Sequence, residues 1–141
     1  MERREFLKKS AATGLLISAA DVLNYKLLAQ EAPLDFVVIK NGSPAQLVRK
    51  AVEELGGMGK FVSKGQAVLL KPNIGWDRTP EQAANTNPEA VAEVVKMCLD
   101  AGAKRVRVLD RTCNQSRRCY QRSGIESAAK KAGAEVRHIV D

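Results

Sequence analysis

The chain has 141 residues, a length that suits one domain with a single hydrophobic core. Its hydrophobic fraction of 45% and charged fraction of 28% are those of a folded globular protein, which excludes a disordered chain and one with an integral membrane span. The formal net charge is +7, and the positive charge is concentrated at positions 104–122, which hold seven basic residues and one acidic residue. Such a local positive charge favours small anions as ligands. Tyr120 is the sole aromatic residue in this stretch, which disfavours nucleic acid as a partner.

The first 29 residues carry the pattern of an export signal. A pair of arginines precedes Phe-Leu-Lys and a modest apolar run at 11–20, which resembles the twin-arginine signal R-R-x-F-L-K and is too short to span a bilayer of about 30 Å. The residues of this motif are Arg3, Arg4, Phe6, Leu7 and Lys8. The resemblance implies the twin-arginine translocase as a partner and a periplasmic or otherwise extracytoplasmic location, with a membrane tether if the signal is not cleaved. Because proteins of this route are often exported with a cofactor already inserted, it also favours a redox or metal cofactor.

After a linker at 30–33, residues 34–141 alternate between strand and helix patterns. The apolar runs predict four strands, at Leu34–Lys40, Gln66–Lys71, Lys104–Leu109 and Glu135–Val140. Helices are predicted between them: one capped by Ser43, one capped by Asn87, and one around Ile125–Lys131. The order βαβαβαβ predicts an α/β fold with an open parallel sheet of about four strands, right-handed crossovers and flanking helices.

Polar side chains follow the second and third predicted strands, at the carboxyl ends where open parallel sheets bind their ligands. The candidate ligand-binding residues are Lys71, Asn73, Trp76, Asp77, Asp110, Arg111 and Thr112. A lysine there can bind phosphate or carboxylate, and Asp110 can hold a cation or orient a hydroxyl group. The long connection at 74–86 has no helical or strand period and indicates a functional loop. The alternative interpretation is that Asn73 and Asp110 only cap loops and that Lys71 is solvated.

Cys113 and Cys119 are separated by five residues, two of which are arginines that favour the thiolate form. This spacing leaves three roles open: a disulfide or structural thiols, two ligands of a metal or iron-sulfur centre, and thiol redox catalysis. Three cysteines cannot supply four cluster ligands, and Cys98 falls on the apolar face of a predicted helix as core packing. His138 has no partner at metal-ligand spacing and is predicted to be a packed or surface residue.

Three stretches, KPNIGWDRTP at 71–80, NTNPE at 85–89 and DRTC at 110–113, resemble the domain of unknown function 362 family. The resemblance covers the chain after the signal. It implies redox surroundings, since some members carry a ferredoxin-like iron-sulfur module, and it implies no established reaction. Members continue well beyond the length of this sequence, so residues 34–141 are expected to form the first half of a larger family domain. The missing second half, or a redox partner subunit, is then an expected partner.

The leading hypothesis is an exported protein that binds a small anionic ligand or cofactor at the carboxyl edge of its sheet, in a redox-associated system. One alternative is a metal- or iron-sulfur-dependent oxidoreductase subunit that uses Cys113 and Cys119. A second alternative is an inactive truncated fragment. Whether the protein is an enzyme, and whether its cofactor is an iron-sulfur cluster or another metal, stays open at this point.

Overall fold

A computed structural model of the chain describes residues 34–139. The predicted signal and linker lie outside the described residues, as do the last two positions, which include the end of the predicted fourth strand. Strands are β1 (Ala67–Leu70), β2 (Arg105–Val108) and β3 (Glu135–Val136), and helices are α1 (Pro44–Glu54), α2 (Pro88–Asp100), α3 (Ser116–Arg122) and α4 (Ile125–Lys131). Short 3-10 helices lie at Met58–Lys60 and Pro80–Gln82.

The sheet is parallel and open, with the strand order β1-β2-β3. Ala67 lies opposite Arg105 and Leu70 opposite Val108, while Arg107 of β2 lies opposite Glu135 of β3. The predicted parallel α/β architecture is therefore confirmed. Because all strands run the same way, their carboxyl ends lie at one edge of the sheet.

The sheet differs from the prediction in its number of strands, since it has three in the described residues and none at Leu34–Lys40. This segment is rich in residues typical of strands, but Leu34, Phe36 and Val38 are 50%, 77% and 60% exposed. A strand depends on backbone bonds to a neighbour and on a surface to pack against, and this segment forms no pair in the sheet. The prediction of a strand at this position was wrong for that reason.

Two helices begin at the predicted caps. Ser43 Oγ accepts a hydrogen bond from the Gln46 backbone N–H at 3.4 Å, and Gln46 Oε1 accepts one from the Ser43 N–H at 3.0 Å, which completes a capping box. Asn87 caps α2 by accepting a bond from the Glu89 N–H at 2.9 Å. Capping of this kind is worth roughly 1 kcal/mol per helix, because it satisfies backbone donors that have no partner in the first turn.

The core lies between one face of the sheet and the helices. Val106 and Val108 of β2 belong to one buried cluster with Val91 and Val95 of α2, and Ile125 of α4 joins them with no exposed surface. Alternation along β2 explains this arrangement, because the valines face the core while Arg105 and Arg107 face away from it. The predicted core position of Cys98, which is 1% exposed, is confirmed.

Helix α3 has no counterpart in the sequence prediction. It brings Cys119 and Tyr120 fully into the core, while its arginines remain on the surface. A second unpredicted feature joins α1 to α2, where Arg49 Nε donates to the buried carboxylate of Glu93 at 2.6 Å.

Within residues 34–139, every helix is too short or too polar to cross a bilayer.

Candidate functional site

The carboxyl ends of β1 and β2 are joined by an ion pair. Lys71 Nζ lies 2.5 Å from Asp110 Oδ1, and the Asp110 side chain is 4% exposed. The other carboxylate oxygen, Oδ2, accepts a hydrogen bond from the Ile74 backbone N–H at 2.7 Å. Two residues that the sequence placed at separate strand ends therefore meet, and together they fix the start of the loop that follows β1.

Asp110 stays ionised although it is buried. Burial acts to raise the pKa of this carboxyl, but the Ile74 N–H, the Lys71 ammonium and the Arg111 N–H together lower it below the usual value. Tyr120 fixes the backbone of the same residue, since its hydroxyl accepts from the Asp110 N–H at 2.6 Å and donates to the Asp110 carbonyl at 2.8 Å. Burial raises the pKa of the Tyr120 hydroxyl, which keeps it protonated as a donor.

Two asparagine side chains, those of Asn73 and Asn85, hydrogen-bond to the backbone of the connection at 74–86. Asn73 donates from its side chain to the Ala84 carbonyl at 3.1 Å and accepts from the Gly75 N–H at 3.1 Å. The side-chain amide of Asn85 bonds twice to the backbone of Trp76: its oxygen accepts from the Trp76 N–H at 3.0 Å, and its nitrogen donates to the Trp76 carbonyl at 2.9 Å. The Asn73 side chain therefore bonds to the backbone of the loop at both its oxygen and its nitrogen.

A polar cleft of about 330 Å³ opens beside this loop. It is lined by Trp76, Asp77, Arg78, Asn114, Gln115 and Arg118. Trp76 is 47% exposed, so its ring is accessible to a ligand. The cleft lies between the loop after β1 and the start of α3, which is the edge of the sheet that the sequence indicated.

The charges of the cleft are organised around Asp77, whose side chain is 13% exposed. Arg118 Nη2 lies 2.9 Å from Asp77 Oδ2, and Arg122 Nη1 lies 3.6 Å from Oδ1. That Oδ1 atom is buried and has no hydrogen-bond partner among the described residues. Two guanidinium groups therefore lie next to one carboxylate. Because each guanidinium has five N–H donors, the two arginines keep N–H groups that Asp77 does not use.

The predicted site residues do not all line one cavity. Trp76 and Asp77 line the polar cleft, whereas Lys71 lines a separate apolar cavity between β1, α1 and α2. The Thr112 hydroxyl donates to the Asn114 carbonyl at 2.6 Å and so shapes the turn into α3, and Arg111 is exposed at the same turn.

Cys113 and Cys119 meet at Gly75. The Cys113 N–H donates to the Gly75 carbonyl at 2.8 Å, and the Cys119 thiol donates to the same oxygen at 3.7 Å. Both thiols are free, Cys113 being exposed and Cys119 buried, and burial raises the pKa of Cys119. No group of three or more histidine, cysteine or acidic side chains suited to a metal ion occurs within residues 34–139.

His138 is half-buried and stacks on Tyr120, with ring centres 4.2 Å apart. Its Nδ1 lies 3.3 Å from Ser116 Oγ, and its Nε2 lies 3.7 Å from the carboxylate of Glu126. Of the two predicted positions, packed or on the surface, the structure shows a packed histidine. Through these contacts His138 joins the segment after β3 to α3 and α4.

Sequence reasoning missed the arginines that face Asp77. Arg118 and Arg122 are four residues apart and therefore lie on the same face of α3, a spacing visible in the sequence once a helix is recognised there. The helix itself was hard to recognise, because it has seven residues and no side-chain cap.

Comparison with known proteins supports the resemblance seen in the motifs. The family model described as "Domain of unknown function (DUF362)" matches residues 68–141, which is more than half of the chain. A stretch of 63 residues is 44% identical to the "Thylakoid-associated protein sll1697" of Synechocystis sp. (strain ATCC 27184 / PCC 6803 / Kazusa). The match covers 45% of this chain and 20% of that relative, so the chain spans about a fifth of the relative's length. No solved structure matches the chain.

Proposed function

This chain belongs to the DUF362 family, and from that premise we propose that it binds a small anionic ligand in the polar cleft at the carboxyl edge of its sheet. The observation that carries the proposal is the pair Arg118 and Arg122, which converge on the single carboxylate of Asp77 beside an exposed Trp76. The cleft itself is lined by Arg78 and Arg118, with Asp77 as the one acidic lining residue, so its surface carries a net positive charge that attracts phosphate or carboxylate groups.

Each group in the cleft has a role in this proposal. Arg118 donates to Asp77 through Nη2 and keeps other N–H groups for a planar or tetrahedral anion. Asp77 orients the guanidinium groups before a ligand arrives, which reduces the entropy lost on binding. Trp76 covers the bound molecule with its ring.

The test uses Trp76 as the reporter, because it is the one tryptophan of the chain. We expect inorganic phosphate or a small dicarboxylate to change its fluorescence in a saturable way, and Arg118→Met to weaken that binding about tenfold, as expected for one lost charged hydrogen bond. Arg117→Met is the matched control, since Arg117 is exposed and does not line the cleft. Absence of saturation at millimolar anion, or equal losses in both variants, would reject the proposal.

A second candidate function is an oxidoreductase subunit that uses Cys113 and Cys119 as metal or cluster ligands. The supporting observation is that the backbone N–H of Cys113 and the thiol of Cys119 both bond to the Gly75 carbonyl, so the two residues lie next to the same backbone group. Two thiolates need further ligands, which a partner subunit or other polypeptide of this family would have to supply. Iron or zinc and acid-labile sulfide in anaerobically purified protein, lost in Cys113→Ser with Cys119→Ser, would favour this candidate over the first.

The location that we propose is extracytoplasmic, reached through the twin-arginine translocase. It rests on the motif at Arg3, Arg4, Phe6, Leu7 and Lys8, which lies outside the described residues. Arg3→Lys with Arg4→Lys keeps the positive charge but should retain the protein in the cytoplasm, while Lys9→Gln, which removes a charge outside the motif, should leave export unchanged. Export of the double-arginine variant at the normal rate would refute the assignment.

A further inference from the structure

A second cavity lies at the same edge of the sheet and is apolar. It has a volume of about 260 Å³ and shares no lining residue with the polar cleft. Its walls are Leu70 and Pro72 at the end of β1, Val48 of α1, and Ala90, Val91 and Val94 of α2. Because aliphatic groups make almost the whole wall, the cavity suits an aliphatic or otherwise apolar group.

The polar groups of this cavity are Lys71 and Thr86. Thr86 Oγ1 accepts a bond from the Asn73 N–H at 2.9 Å, so this hydroxyl is already part of the loop. Lys71 is different: its side chain is 68% exposed and its ammonium has three N–H groups, of which the pair with Asp110 uses one. That pair holds the ammonium in position, and no acidic residue lines the cavity.

The size of the cavity limits what fits. If each non-hydrogen atom takes about 30 Å³, the share of a water molecule in the liquid, the cavity holds roughly nine such atoms. A chain of six to eight carbons therefore fills it, and a longer chain would extend into solvent. A charged end group on such a chain would remain at the exposed side, where the ammonium of Lys71 is accessible.

We propose that this cavity binds a small amphipathic acid, with its aliphatic chain between β1, α1 and α2 and its anionic group at Lys71. Lys71 acts here as a binding residue that selects the sign of the charge. This site is independent of the anion site in the polar cleft, because the two cavities are lined by different residues.

Binding of octanoate to the full chain, measured by calorimetry, tests the proposal against matched ligands. We expect octanoate to bind about tenfold more tightly than octanol or octylamine, and to bind more tightly than hexanoate by about fourfold per methylene group. Equal binding of the acid, the alcohol and the amine would overturn the assignment of Lys71. Absence of octanoate binding at millimolar concentration would overturn the site as a whole.

Two pairs of variants locate the bound molecule. Ala90→Leu fills the cavity and should abolish octanoate binding, while Ala92→Leu, a half-buried residue of the same helix outside the cavity, should preserve it. Lys71→Met should reduce the affinity for octanoate to that for octanol, and Lys71→Arg should restore it. Unchanged octanoate binding in Ala90→Leu would refute the location, and unchanged phosphate binding in this variant would show that the polar cleft is intact.

Discussion

Lys71 Nζ lies 2.5 Å from Asp110 Oδ1, so one ion pair joins the carboxyl ends of two neighbouring parallel strands. The same carboxylate accepts the Ile74 N–H, and Tyr120 bonds to the backbone of the same aspartate. The end of β1, the end of β2 and helix α3 are therefore joined at one residue. The order of the loop beside the polar cleft depends on this carboxylate and on its remaining ionised.

Asp110→Asn should destabilise the fold by about 2 kcal/mol, because it removes a charged acceptor from the Ile74 N–H and the partner of Lys71. The ion pair itself contributes little to this figure, since the lysine is largely exposed to solvent. Urea unfolding followed by circular dichroism measures the change. Asp100→Asn, at an exposed position, is the control and should change stability by less than about 0.5 kcal/mol.

The same carboxylate gives a dependence of stability on pH. Its pKa is lower in the folded state than in the unfolded state, so its contribution is present above the unfolded-state value near pH 4 and is lost as pH falls further. The pKa values of Glu126 and Glu135 are also lowered, so acid weakens the protein through several groups. Stability measured between pH 6 and pH 3 should fall less steeply in Asp110→Asn than in the wild type. Parallel curves would contradict the assigned role of Asp110.

Tyr120→Phe tests the two hydrogen bonds between the Tyr120 hydroxyl and the backbone of Asp110. The ring is fully buried, and the substitution removes the hydroxyl that bonds to the N–H and the carbonyl of Asp110. Loss of this group should cost about 1 to 3 kcal/mol, because a buried N–H and a buried carbonyl lose their partner. The stacking on His138 should persist, and the histidine resonances in an NMR spectrum check this. A variant as stable as the wild type would mean that water replaces the hydroxyl.

Much of the fold was predictable because local rules and tertiary packing agree. The cap at Ser43, the cap at Asn87 and the apolar spacing of α2 give the helices directly. The apolar runs at Gln66–Lys71 and Lys104–Leu109 give β1 and β2, which pair with each other in the sheet, although β1 is less buried than its composition predicts and Leu69 is 59% exposed. The rule for ligand sites at strand ends drew attention to Asp77 and Trp76, and both line a cleft in the structure.

The rest depends on contacts that a sequence pattern does not contain. Leu34–Lys40 has strand composition, yet no neighbouring strand pairs with it, and Leu34, Phe36 and Val38 remain exposed. Helix α3 is too short for a periodic signal, although it supplies Arg118 to the cleft. The bonds of the Asn73 side chain to Ala84 and Gly75 also depend on the path of the loop, which the sequence pattern does not show.

Asp77→Asn should strengthen anion binding in the polar cleft several-fold. The carboxylate of Asp77 competes with any bound anion for Arg118 and Arg122, and the amide keeps the shape while removing the negative charge. Phosphate titration followed by Trp76 fluorescence measures the effect, and Asp35→Asn is the control at an exposed position that does not line the cleft. Weaker binding in Asp77→Asn would instead show that orientation of the arginines by Asp77 outweighs its charge.

The three cysteines should differ in reactivity in a way that distinguishes the roles open to them. Cys113 is exposed, whereas Cys98 and Cys119 are buried and have raised pKa values because burial disfavours the thiolate. We therefore expect a thiol reagent such as Ellman's reagent to modify one cysteine rapidly in the folded protein, and all three after denaturation. Cys113→Ser should remove the fast reaction, while Cys98→Ser should leave it unchanged. If denatured, unreduced protein from an oxidising compartment showed one reactive thiol instead of three, Cys113 and Cys119 would be joined by a disulfide there, and the free pair at Gly75 would be its reduced form.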